Sequence, residues 1–125
     1  MKTIINTDAA PKAIGPYSQA IMIDGFLYTS GQIAIDPATG ELVEGGIEAQ
    51  MERVLENIKA ILKAAGMDLN NVIKTTVFVT NMGDFAKINE IYGRYFKDNP
   101  PARSLVEVKS LPKGALIEIE VVAHK

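Results

Sequence analysis

The stretch Val72-Ile73-Lys74-Thr75-Thr76-Val77-Phe78-Val79-Thr80 decides the fold class. It is rich in β-branched residues, which suit a pleated surface better than a helix. Lys74 is its only charge, so it reads as an interior strand with apolar side chains on both faces. A helical pattern lies on each side of it. Upstream, Ile47, Met51, Val54, Leu55, Ile58, Ile61, Leu62 and Ala65 recur every three or four residues and predict a helix over 47–65. Its acids lead and its bases trail, as the helix dipole favours, and Gly66 stands where a C-terminal cap belongs. Downstream, Asn81-Met82-Gly83-Asp84 turns the chain, with Asp84 a suitable N-cap. Phe85, Ile88, Ile91, Tyr92, Tyr95 and Phe96 then predict the buried face of a second helix over 85–97.

The flanks read as further strands. Ile4-Ile5 is a short one, broken by Asp8-Ala9-Ala10-Pro11. Ala20–Ile23 and Phe26–Ser30 flank Asp24-Gly25, a favoured two-residue hairpin turn. Ile33-Ala34-Ile35 reads as a continuation strand, followed by the turn-rich Asp36-Pro37-Ala38-Thr39-Gly40. Pro100 and Pro101 exclude helix and deliver Arg103 to the start of an extended segment in which Ser104, Val106 and Val108 share a face. The last strand, 115–123, sets Ala115, Ile117, Ile119, Val121 and Ala123 on one face. Leu116, Glu118, Glu120, Val122 and His124 fall on the other.

At 125 residues the chain is one domain, residues 1–125, with 47% hydrophobic, 22% charged and 6% aromatic residues. Without cysteine it has no disulfide or thiolate chemistry. No apolar run approaches the ~20 residues of a membrane helix, and the N-terminus lacks a signal-peptide pattern, so the cytoplasm is the expected location. A net charge of −2 with scattered bases argues against nucleic acid as a partner. A lone His124 excludes a Ser-His-Asp triad and an ordinary zinc site, and no phosphate-binding or dinucleotide-binding motif is present.

The remaining chemistry belongs to carboxylates, tyrosines and Arg103. An arginine behind two prolines is either a surface ion-pair partner or a fixed fork for a small carboxylate. Glu118 is either a solvated strand residue or, framed by Leu116 and Val122, part of a cleft. Tyr17 follows the stiff Gly15-Pro16 and either packs or lines a site; Gly31, after Ser30, allows close approach to the backbone or marks a bulge. Asn89 lies at the edge of the second helix's apolar stripe. A carboxylate that orients water, beside an arginine that binds an anion, suits water addition to an electrophilic carbon without metal or cofactor.

Five segments, in order, resemble the Rid family. They are Ala13–Ala20 (AIGPYSQA), Thr29–Gln32 (TSGQ), Lys74–Val79 (KTTVFV), Pro101–Ser104 (PARS) and Ile117–Glu120 (IEIE). The resemblance is nearest to the RidA-type enamine and imine deaminases and runs from Ile4 to Ala123. It implies a chorismate-mutase-like α+β fold, a six-stranded mixed sheet with two helices on one face, assembled as a homotrimer with clefts between subunits. It implies hydrolysis of 2-aminoacrylate-type enamines and imines, such as 2-iminopropanoate and 2-iminobutanoate, to 2-oxo acids and ammonia. It makes Arg103 the carboxylate-binding residue, Glu118 the water-positioning one and Tyr17 a further catalytic residue. Ser30, Gly31 and Asn89 become substrate contacts. Leu105 stands where many relatives carry cysteine, which bears only on thiol side reactions. Two alternatives are an endoribonuclease that inhibits translation and a non-catalytic module sensing 2-oxo acids.

Overall fold

The structure, a computed structural model, describes all 125 residues. Its strands are β1 (Thr3–Ile5), β2 (Ala20–Ile23), β3 (Phe26–Thr29), β4 (Val72–Val79), β5 (Ala102–Glu107) and β6 (Ile117–His124). Its helices are α1 (Ile47–Ala64) and α2 (Phe85–Tyr95). The strands form one sheet in the order β1-β2-β3-β6-β4-β5. All neighbours are antiparallel except β4 and β5, which α2 joins as a crossover. A mixed α+β sheet with two helices is therefore observed.

The local signals act as their chemistry dictates. Asp24 and Gly25 have φ of 50° and 80°, the pair of positive values a type I′ hairpin demands. At the end of α1, the amides of Gly66 and Met67 donate to Lys63 O and Leu62 O, closing a complete C-terminal cap. The apolar face of α1 meets Leu27, Val77, Ile117, Ile119 and Val121 of the sheet in a core cluster of 24 buried residues.

Several expectations need correction. Ile33–Ile35 is not a strand; only isolated bridges join Gln32 to Ile119 and Ile35 to Leu42. The side chain of Asn57, fully buried on α1, donates to the carbonyls of Ile33 and Ile35, so a helix amide replaces a strand partner. Asp84 makes no capping bond; Asn81 instead accepts from the Gly83 amide and holds the turn before α2. Helix α2 ends at Tyr95, two residues early, and Phe85 is 46% exposed because its apolar stripe reaches the core only from Ile88 onward. β6 begins at Ile117, since a tight turn occupies Pro112–Gly114. Arg103 is the second residue of β5, and Val108 lies beyond it.

The most informative correction concerns β4. It is interior between β5 and β6, yet only one of its faces meets the helices. Lys74, Thr76 and Phe78 are half-buried on the open face. The register aligns Ile4, Ile21, Tyr28, Val122, Lys74 and Ala102 in one row across all six strands of that face. Ile4 and Tyr28 are 62% and 47% exposed, so apolar side chains lie open where an isolated domain would present polar ones.

Candidate functional site

Two separate constellations hold the candidate residues. The first is a cleft of about 600 Å³ at the end of the sheet where β3 leaves and β6 enters, lined by Tyr17, Ser30, Gly31 and Glu118. Because Ile117 and Ile119 point into the core, Glu118 leaves from the open face of β6. There its carboxylate lies against the backbone at Gly31. A β-carbon added at Gly31 would come within 2.7 Å of Glu118 Cδ, so only glycine lets the acid sit there. Burial, and then the like charge of Glu120, push the Glu118 pKa above the ordinary carboxylate value.

The walls of this cleft are held by polar side chains. Ser30 Oγ donates to Ser18 O at 2.6 Å, tying the strand end to the loop that carries Tyr17. Tyr17, 52% exposed, closes its own turn by accepting weakly from the Ile14 amide at 3.4 Å and keeps an edge free for the cleft. Gln19 is the anchor. It accepts from the Thr7 amide at 2.7 Å and donates to Thr7 O at 3.0 Å and Pro11 O at 2.8 Å. Replacing Gln19 with leucine strands these groups and is expected to cost about 2–3 kcal/mol, measured as a lower urea midpoint.

The second constellation belongs to the helix side. Arg103 pairs with Thr75 across the parallel ladder, and Thr75 is fully buried beneath α2. The guanidinium lies 4.8 Å from the centre of the Tyr92 ring, and Nη1 donates to Asn89 Oδ1 at 2.9 Å. The Tyr92 hydroxyl shares a 2.8 Å bond with Thr75 Oγ1. Burial raises the Tyr92 pKa against the opposing effects of Thr75 and Arg103, so the ring stays a neutral phenol under the cation. Arg103 is thus half-buried and oriented, with donors left for a carboxylate.

These constellations do not meet within one chain. Val121 aligns with Thr75 and hence with Arg103, which places Glu118 two strands over and three residues along. Their backbones are roughly 14 Å apart and their side chains leave opposite faces. Asn89 joins Arg103; Tyr17, Ser30 and Gly31 join Glu118. Sequence reading missed three supports: Gln19, Asn57 and the Tyr92 platform. The signal for Tyr92 was present, three residues after Asn89 on the same helix face. No place in the chain gathers three or more histidine, aspartate or glutamate side chains as a metal would require. No helix is long and apolar enough to cross a membrane.

Comparison with known proteins gives the frame for this geometry. A family model described as Endoribonuclease L-PSP matches residues 7–125. The crystal structure of RidA from the Antarctic bacterium Psychrobacter sp. superposes with a TM-score of 0.95 at 47% identity, covering 98% of this chain and 99% of that one. The chain belongs to the Rid family. Among Rid relatives, a RutC family protein of Pyrococcus horikoshii is 60% identical over 125 residues, 100% of this chain and 99% of its own. The human 2-iminobutanoate/2-iminopropanoate deaminase is 52% identical over 123 residues, 98% of this chain and 90% of its own.

Proposed function

We propose that this Rid-family chain is a cytoplasmic enamine and imine deaminase. It hydrolyses 2-iminopropanoate and 2-iminobutanoate to 2-oxo acids and ammonia as a homotrimer. The observation that carries the reading is the half-buried Glu118 carboxylate, seated on Gly31 in a cleft that no arginine of its own chain lines. Arg103, already oriented by Asn89 and Tyr92, supplies the missing positive fork from a second copy. The open apolar row through Ile4, Ile21, Tyr28 and Val122 supplies the surface on which copies pack.

The chemistry follows from that arrangement. Arg103 of one subunit grips the substrate carboxylate through paired hydrogen bonds. Glu118 of the next orients a water and takes its proton as the oxygen bonds to the imine carbon. That proton passes to nitrogen to give the tetrahedral adduct; the adduct's hydroxyl then yields its own proton, relayed by Glu118 to the nitrogen, as the C–N bond breaks, and ammonia leaves the 2-oxo acid. Tyr17 closes over the cleft. Sizing of the purified protein checks the trimer, and imine hydrolysis by the wild type checks the activity. A monomer, or absence of turnover, rejects the reading.

Glu118 must be ionised to act, so kcat/KM is expected to fall as pH drops through its raised pKa, at a midpoint above that of an ordinary glutamate. Stability runs the other way. The fold favours the protonated acid, so the stabilisation tied to this group is present at low pH and lost as pH rises through its folded pKa. Glu118→Gln is therefore expected to lose most of its activity yet to melt above the wild type at pH 7.5, with the difference closing near pH 4. Melting scans at the two pH values test this.

The ribonuclease alternative has weaker support. His124 stacks edge-on against Phe26 on the open sheet face, away from the cleft, and the chain carries a net charge of −2.

A further inference from the structure

The Glu118 cleft carries more positive charge than a three- or four-carbon monoacid requires. Two lysines, Lys12 and Lys113, line it together with Glu118. Neither is paired: the ion pairs of the chain are Lys59 with Glu56, Lys87 with Glu48 and Arg94 with Glu52. Neither lysine makes a side-chain hydrogen bond to the protein.

Both lysines stand on held backbone. Lys12 follows Pro11, whose carbonyl is bound by the buried Gln19. Lys113 lies between Pro112 and Gly114 at φ 58° and ψ 21°, a left-handed conformation that costs a lysine more than an asparagine or glycine. The turn is pinned on its far side, where Gln50 Oε1 accepts from the Leu116 amide at 2.8 Å.

We infer that Lys12 and Lys113 form a subsite for a second carboxylate, making imino dicarboxylic acids a favoured substrate class. The inference rests on the deaminase reading above. With the α-carboxylate on Arg103 of another copy and the imine carbon at Glu118, the substrate's side chain extends into the cleft both lysines line. A side-chain carboxylate there meets two unpaired ammonium groups, whereas an ethyl group leaves both unused. The reaction is unchanged: one water adds across C=N, ammonia leaves, and a 2-oxo dicarboxylate results. The supplying reaction is oxidation of an acidic amino acid at its α-carbon.

The test generates imines in situ from aspartate and from 2-aminobutyrate with amino acid oxidases and measures kcat/KM for each by competition with semicarbazide. In Lys12→Gln/Lys113→Gln the ratio of dicarboxylate to monocarboxylate kcat/KM is expected to fall about tenfold at low ionic strength. The wild-type ratio should itself fall as salt is added. Lys63→Gln, on the outer side of α1, controls for net charge and should hold the ratio within twofold. If the wild type turns over 2-iminobutanoate but the double substitution leaves the ratio unmoved, the subsite is overturned and the deaminase reading stands. If the wild type turns over neither imine, both fall. The single variants, each at an exposed side chain, give the same readout should the double variant fail to assemble.

Discussion

Arg103→Ala and Glu118→Gln are each expected to lower kcat/KM for 2-iminobutanoate by about 10³-fold, and co-refolding the two is expected to restore a substantial part of it. The single losses follow from the roles assigned. Removing the guanidinium leaves the substrate carboxylate without its partner, and removing the carboxylate leaves the attacking water without a base. The recovery follows from the fold. Arg103 faces α2 and Glu118 faces the open side of the sheet, so the proposed site takes one residue from each of two copies. In randomly mixed trimers, an interface works when its Arg103 comes from a Glu118→Gln subunit and its Glu118 from an Arg103→Ala subunit. That condition holds for about one interface in four, so roughly a quarter of wild-type activity should return. If both residues served a site within their own chain, every site in the mixture would lack one of them. No recovery from well-assembled mixed trimers would reject the shared site.

Gly31→Ala is expected to lower kcat/KM by about 10²-fold with little change in melting temperature. The added methyl carbon would lie 2.7 Å from Glu118 Cδ and 3.0 Å from Cγ, closer than atoms of this kind approach, so the acid must swing aside. Its side chain is flexible and its neighbourhood open, which makes the movement cheap for the fold. For the reaction it is expensive, because displacing a catalytic group by about 1 Å costs on the order of 10²-fold. Full activity in Gly31→Ala would show that the position of Glu118 against this backbone does not matter. A large loss of stability would show that the two residues are packed for the fold rather than for the site.

Much of this protein is written in short-range patterns. The α1 stripe, the Asp24-Gly25 hairpin, the β-branched run of β4 and the alternation of β6 depend on neighbours within a few residues, and they appear where those patterns place them. The candidate residues were legible for the same reason: two prolines ahead of Arg103, a glycine after Ser30, and acids framed by Leu116 and Val122. What local pattern could not state is which side of the sheet each side chain leaves by. A strand's alternation defines two faces but does not say which one the helices cover.

The sequence by itself therefore determined the elements, their order and the residue types able to do the chemistry, because backbone preference and hydrophobic periodicity act over one or two turns or strand repeats. Only the tertiary structure decided that Arg103 lies under α2 while Glu118 opens onto the far face. That separation comes from the register linking β5 through β4 to β6 and from both helices packing on one side. The same long-range pairing turned Ile33–Ile35 from a strand into a loop held by Asn57, a contact spanning more than twenty residues of chain.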